Sequence, residues 1–517
     1  MKKQPHESLA YALKLLAKSS FIVLLGVFSS KLFTFLYKFI VARNFGKETY
    51  GLFSLSVIIM SIGIMLATLG IQEGISRYIP LYRGKHEMRK ISYLLRNSLF
   101  TLALSGILVG ILLFFLKTII ATRLYHEPLL IPYLSAFSFL IPLTVILYVL
   151  LATFRGFEKI GWYSFFNNIV QNFTRLALLI IFIILGWSNA IILSYVLATC
   201  VTLVLAYVVL RRVIPDIFVR PLLTQEVRST IRREIFTYSW PLMFFGIIAY
   251  VFTWTDSLII AYYKGVGEVG LYNAAVPLAT LLLFIPDIFV QLFFPLITRH
   301  YAHKEHDLIK ELSKQVEKWI FALNVPIFLI ALIFPGAFIK LFFGSEFLVA
   351  ASALRMLAIG NLFISLIIVP SSLLAMVGKS KVILTNMIIL GIVNIVLNLL
   401  LVPKYGLNGA AFATMVSSIL LSILYFIQVQ RYLSFVPLRK KMLMIALAPL
   451  LPFLILLAVK NFFSITAPIV LLLGSFFVLL YFMCILLFKA LDKNDLLIIT
   501  TIKNKFLNSS SFTRSKN

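Results

Sequence analysis

Run after run of roughly twenty apolar residues, each closed by charges, a proline or a glycine, decides what this chain can fold into. The runs lie near 20–43, 49–76, 92–116, 129–153, 161–185, 189–210, 236–262, 268–296, 317–342, 347–376, 382–402, 408–429, 442–459 and 464–488. Each is long enough to cross a hydrocarbon core of about 30 Å as a helix. None shows the ten-residue alternation of membrane strands, which excludes a β-barrel. The sequence therefore predicts an all-α polytopic membrane protein with about 14 transmembrane helices. Composition agrees: 61% of residues are hydrophobic and 13% charged, against about half and about a quarter in soluble domains.

The 47 Lys and Arg against 19 Asp and Glu give a net charge of +28. They fall in short clusters between the apolar runs, which excludes a nucleic-acid-binding surface and leaves a topology signal. The N-terminus, the even-numbered connections and the tail hold roughly 35 of them and the opposite loops roughly 8. The positive-inside rule places both termini in the cytoplasm, with the protein in the cytoplasmic (plasma) membrane. The first twenty residues read as a cytosolic amphipathic lead-in rather than a cleaved signal. Cys200 and Cys484 stand alone in apolar runs, so no disulfide framework, metal motif or cofactor is expected.

An internal match sets the organisation. FIVARNFGKETYGLF (39–53) aligns without gaps on LIIAYYKGVGEVGLY (258–272), pairing Gly46 with Gly265 and Gly51 with Gly270. Two parallel six-helix lobes follow, 1–210 and 236–430, joined by a cytoplasmic connection at 211–235. Residues 431–517 add two extra helices and a basic tail.

FGKETYGLFSL (45–55), VGEVGLYNAA (266–275) and above all NLLLVPKYGLNGAAFAT (398–414) resemble signatures of the polysaccharide and O-antigen flippases. These belong to the multidrug/oligosaccharidyl-lipid/polysaccharide exporter superfamily. The resemblance extends over nearly the whole chain. It implies a flippase that carries a lipid-linked (polyprenyl phosphate or pyrophosphate) oligosaccharide or polysaccharide precursor from the cytoplasmic to the outer leaflet by alternating access. The third motif also has a purely structural sense: Pro403 closes a helix, Gly406 permits positive φ, and Gly409 to Ala411 allow close packing.

Charges inside spans must face protein or water. Lys31, Thr34 and Lys38 fall at i, i+3 and i+7 of the first span, with Lys38 near enough to the outer end to snorkel to the interface. Asn168, Gln171 and Arg175 repeat the spacing in the fifth, and Arg355 adds a cation in the tenth. All seven are candidate substrate-binding residues for an anionic headgroup. Asp256 and Asp287 are candidates for coupling or gating. Glu73 is expected to pair with Arg77 four residues on, and Arg155 and Glu158 to sit at a short cytoplasmic turn in a structural role. Pro277, Pro286, Pro295, Pro326 and Pro335 should kink or end helices.

No phosphate-binding loop, nucleophile elbow or zinc-protease motif occurs, so the chain reads as a transporter and not an enzyme. The alternatives are a cation-coupled multidrug exporter of the same superfamily, which would want an acidic cavity, and a polyprenyl-linked membrane glycosyltransferase, which would want paired surface acids. The expected partners are the lipid-linked substrate, membrane lipids and glycan assembly enzymes, with the protein itself a monomer.

Overall fold

The computed structural model describes residues 5–218, 223–460 and 467–488, with side chains from Leu25 onward in almost all of these. The basic tail and residues 219–222 of the connection lie outside the described residues. The described chain is helical, without strands. Its helices are α1 (Pro5–Thr68), α2 (Ile71–Gly84), α3 (Met88–Leu124), α4 (Leu130–Gly156), α5 (Ile160–Ile184), α6 (Ala190–Val213) and α7 (Gln225–Lys264). There follow α8 (Val266–Ala302), α9 (His306–Ile333), α10 (Pro335–Phe342), α11 (Ser345–Met376), α12 (Ser380–Leu433), α13 (Lys441–Leu456) and α14 (Leu472–Leu487).

Ten of these helices are long and apolar enough to span a membrane. Two are continuous through a turn: α1 breaks at Gly46 (φ 78°, ψ 176°) and α12 at Gly406 (φ 56°, ψ −136°). Each therefore takes up two of the expected apolar runs, and the shorter α13 and α14 take up the last two, consistent with the sequence expectation. Only a residue without Cβ adopts these dihedrals cheaply. Residues 225–235 of the expected connection are helical, because α7 already begins at Gln225.

The chain gathers into two compact units. The first comprises the residues up to Asn273 with Asn398–Leu407, the second Ala274–Leu397 with the residues from Asn408 onward. In the first unit α3 and α4 pack tightly because Gly106 and Gly110 lie one turn apart. A Cβ on either would come within 2.8 and 2.7 Å of backbone atoms of Pro142 and Ser138. Phe100, Leu108 and Phe115 on the other side of α3 are exposed, which suits contact with lipid chains.

The two matched hairpins meet inside this first unit. Gly265 has φ 83° and ψ 176°, nearly the dihedrals of its partner Gly46. A Cβ on Gly51 would lie 1.8 Å from the Val266 carbonyl oxygen, and one on Gly270 2.0 Å from that of Lys47. The offset of 219 that aligns the sequences maps each contact onto the other, so the pair is a local twofold. The third motif joins them: the Leu407 amide donates to Glu268 Oε2 at 2.8 Å. The Tyr50 hydroxyl donates to the Asn273 carbonyl at 3.0 Å.

In the second unit Phe293 and Ile297 of α8 pack with Ile309 and Ile320 of α9, Val369 and Leu373 of α11 and Tyr425 of α12. On another side of α9, Val325 packs with Ile445 and Ala448 of α13 and Tyr481 and Cys484 of α14. Pro326 lacks the N–H that would bond the carbonyl four residues earlier. The Tyr481 hydroxyl fills that vacancy, donating to the Ala322 carbonyl at 2.9 Å.

Candidate functional site

A cavity of about 200 Å³ opens inside the first unit, lined by α1, α5, α6, α7 and the start of α8. Among the described residues its charged lining is Lys38 and Arg175, with no acid. The guanidinium carbon of Arg175 sits 3.9 Å from the Tyr195 ring centroid, a cation–π contact. Tyr195 is held in turn by Phe53 (centroids 5.6 Å apart), Phe137 (5.5 Å) and Tyr37 (5.9 Å). The Arg175 Nε is buried and has no hydrogen-bond partner. A cation steered by an aromatic wall, with a donor left over, is equipped to receive an anionic oxygen.

Below it lies a more polar cavity of about 320 Å³. Three helices pass from one cavity to the next within about a turn: Ile58 to Ser61 on α1, Asn172 to Asn167 on α5, Trp254 to Tyr250 on α7. The Tyr250 and Trp254 rings are 6.1 Å apart. In the polar cavity Arg155 Nη1 lies 3.5 Å from Glu73 Oε1. This replaces the local Glu73–Arg77 pair expected from sequence. Arg77 instead stacks on Tyr238, its guanidinium carbon 4.2 Å from the ring centroid, and Glu158 lies 3.6 Å from Arg83. Contacts across helices thus displace i, i+4 partners, whose pairing in water is worth only about 0.3–0.5 kcal/mol.

Of the sequence candidates, Thr34, Lys38 and Arg175 line the upper cavity. Lys31 is exposed on α1 away from this lining. Asn168 is buried and its amide donates to Ser164 Oγ at 3.1 Å; Gln171 is buried as well. A π-helical stretch at Phe165–Val170 adds a residue to the turn before Gln171, so Asn167 rather than Asn168 faces the polar cavity, while Asn172, one turn before Arg175, lines the upper one. Asn172 Nδ2 also donates to Ser30 Oγ at 2.9 Å. A strict 3.6-residue period cannot anticipate that shift, and no cue in FFNNIV announces it. Tyr37, Tyr195 and Trp254 carry no cue in the sequence, because aromatic residues are common in every span.

Asp256 is buried, accepting hydrogen bonds from the Tyr272 hydroxyl and, at 2.8 Å, from Asn398 Nδ2. In the second unit Arg355 is exposed and its Nε donates to the Leu332 carbonyl at 3.2 Å, and Asp287 is half-buried on α8. Outside the spans, Tyr82 on α2 donates to Glu234 Oε2 at 2.8 Å. Burial, reinforced by that carboxylate, pushes its phenol up.

Residues 16–301 match the family described as polysaccharide biosynthesis protein. The chain belongs to that family. It is 24% identical over 474 residues to an uncharacterized membrane protein of Methanocaldococcus jannaschii, covering 85% of this chain and 88% of that one. It is 23% identical over 390 residues to a putative O-antigen transporter of Shigella flexneri, covering 74% and 89%. Among solved structures, the lipid II flippase MurJ in its inward closed conformation superposes with a TM-score of 0.69 at 14% identity, covering 89% of this chain and 98% of that one. At that identity the likeness establishes the fold, a multi-pass transporter fold. In the structure the turns at Gly46, Gly265 and Gly406 are joined by the contacts of Gly51, Gly270 and Glu268.

Proposed function

We propose that this protein flips a lipid-linked oligosaccharide or polysaccharide precursor, carried on a polyprenyl phosphate or pyrophosphate, from the cytoplasmic to the outer leaflet by alternating access. The observation that carries the proposal is the acid-free cavity in which Lys38 and Arg175 stand against an aromatic wall, Arg175 with an unpartnered Nε. A phosphate passing the bilayer core needs replacement for its water shell, and charge-assisted hydrogen bonds supply it. Thr34 and Asn172 add neutral donors, and Trp254 a face for a sugar ring. The same basic lining disfavours organic cations as cargo. Lys31, Asn168 and Gln171 are proposed supports of this site, and Arg355 a separate proposed substrate contact within the second unit. Asp256 and Asp287 are the proposed gating acids. Both termini face the cytoplasm of the plasma membrane, as the Lys and Arg asymmetry indicates.

Depleting the protein and measuring the sidedness of lipid-linked sugar tests the proposal. Accumulation on the cytoplasmic leaflet, relieved by the wild type and not by Arg175→Gln, is expected. Unchanged sidedness overturns it.

A further inference from the structure

α9 carries a buried polar stripe that the cavities of the first unit do not use. Glu317 is 0% exposed, and neither of its carboxylate oxygens has a hydrogen-bond partner. Asn324, also 0% exposed, has neither Oδ1 nor Nδ2 bonded. The two are seven residues apart, hence on one face of the helix, and side chains tilt toward the helix N-terminus, so Asn324 leans toward Glu317. Ser313, fully buried one turn before Glu317, continues the stripe. On one flank Ile309 and Ile320 enter the cluster shared with α8, α11 and α12. On the other, Phe321 and Val325 pack on α13 and α14.

Among the described residues no counter-ion bonds this carboxyl. The short turn at 303–305 reverses the chain from α8 to α9, and the Trp319 and Phe289 rings lie 6.0 Å apart, tilted at 50°, so Gln291 is about level with Glu317 and Asp287 about one turn away. Arg299 and His300 lie at the far end of α8, where His300 contacts Glu305 at 2.5 Å. On α11, Arg355 is engaged at Leu332, four turns from Glu317. Arg439, just before α13, pairs with Glu311 at 2.6 Å, and Lys441 follows it. On α14 the titratable groups are Tyr481, bonded to Ala322, and Cys484, buried in the cluster with Val325. Lys314 and Lys318 share α9, and Lys318, adjacent in sequence, does not face Glu317 around the helix. None of them donates to either Glu317 oxygen.

An ionised carboxylate enclosed by apolar clusters without a single hydrogen bond is the most costly arrangement a helix can hold, whereas a neutral carboxylic acid is tolerable. We propose that Glu317 is a proton-binding site of the second unit, loaded while α9 is packed as seen here and emptied when water reaches the Glu317 to Asn324 stripe. On release the carboxyl O–H bond breaks, the proton passes to a water molecule as hydronium, and the carboxylate left behind is solvated by water and the Asn324 amide. Reloading takes a proton from water. The proposal goes beyond the flippase assignment and does not depend on which molecule is carried.

Infrared spectroscopy of the purified full-length protein in lipid nanodiscs, without any substrate, tests it. With glutamate carbons isotope-labelled, the wild type at neutral pH should show an isotope-shifted carbonyl stretch of a protonated carboxylic acid. Glu317→Gln should remove that band while keeping the wild-type melting profile, and Glu317→Asp should restore an acid band that no longer carries the glutamate label. Absence of a protonated-glutamate band in the wild type, or its persistence in Glu317→Gln, overturns the proposal. If Glu317→Gln does not fold, the labelled wild type and Glu317→Asp still decide. Loss of the wild-type band on adding sodium at fixed pH would make the site a metal-cation site and equally overturn it. Since no transport is measured, failure here leaves the flippase assignment standing, and failure of that assignment leaves this one.

Discussion

Replacing Gly51 by alanine should pry open the clasp between the matched hairpins. The new Cβ would sit 1.8 Å from the Val266 carbonyl oxygen, whereas an ordinary carbon–oxygen contact is about 3.3–3.6 Å. The backbones must therefore separate by about 1.5 Å, and both sides of this contact are main chain, so no rotamer change relieves it. Overpacking of this kind costs about 1–3 kcal/mol. Applied to one of two conformations, it shifts their ratio by about 5–150-fold. Gly270→Ala should act alike through Lys47, and the double variant should cost less than the sum, because one clasp is broken twice. The assay is the rate at which a membrane-impermeant thiol reagent applied from outside labels Ser54→Cys, a cavity-lining position, after Cys200 and Cys484 have been replaced. Gly84→Ala is the control, since nothing lies within 4 Å of its added Cβ. Gly51→Ala should label faster, by a factor within that range. Labelling indistinguishable from the control would refute the idea that this contact closes the path to the cavity.

Arg175→Gln should lower flipping by about 10–100-fold with normal membrane yield, the equivalent of one charge-assisted hydrogen bond at about 1.5–3 kcal/mol, and Arg175→Lys should recover part of it; parallel loss of yield and transport would assign the residue to structure. Lys38→Ala should impair export more than Lys31→Ala, because Lys38 lines the cavity, and the reverse order in a transport assay would exclude that lining from the mechanism. A cysteine at Tyr405, on the exposed turn of α12, should react with an impermeant reagent from outside, while one at Arg212 should not; opposite labelling would invert the topology. Tyr82→Phe should cost about 0.5–1.5 kcal/mol by loss of the bond to Glu234, read as a lower melting temperature. Because the folded phenol titrates above its ordinary value of 10.0, its contribution is complete below that pH and lost as pH rises above it, so the difference between wild type and Tyr82→Phe should shrink in alkali.

The membrane architecture was legible in the sequence because each span must satisfy its own backbone and present apolar side chains, which leaves long unbroken runs. The match of residues 39–53 with 258–272 was legible too, and it became the shared dihedrals of Gly46 and Gly265 and the reciprocal contacts of Gly51 and Gly270. The candidate site was read less completely. Thr34, Lys38 and Arg175 reach the cavity, but the π-helical stretch in α5 puts Asn167 in the place that a regular helix would give Asn168, a backbone choice made by tertiary packing. The segment KELSKQVEKW looks like the wet end of a helix, and its charges mark where a span should begin. Burial of Glu317 and Lys318 depends on α8, α11 and α13 converging there, which local composition does not encode.

The wide turn at Phe165–Val170 also bears on how such a transporter can change its cargo. A π-helical turn is, in effect, one residue inserted into a regular helix. Deleting that residue would leave the Arg175 end of α5 in place and swing everything before it by about 100°, a single helical step. Asn167 would leave the polar cavity and a neighbouring side chain would take its place. Substitutions alter a wall one group at a time; here a change of length by one codon would re-face half of it at once. Insertions and deletions in this segment, ordinarily the most damaging events in a membrane helix, become a route by which new specificities arise without rebuilding the bundle.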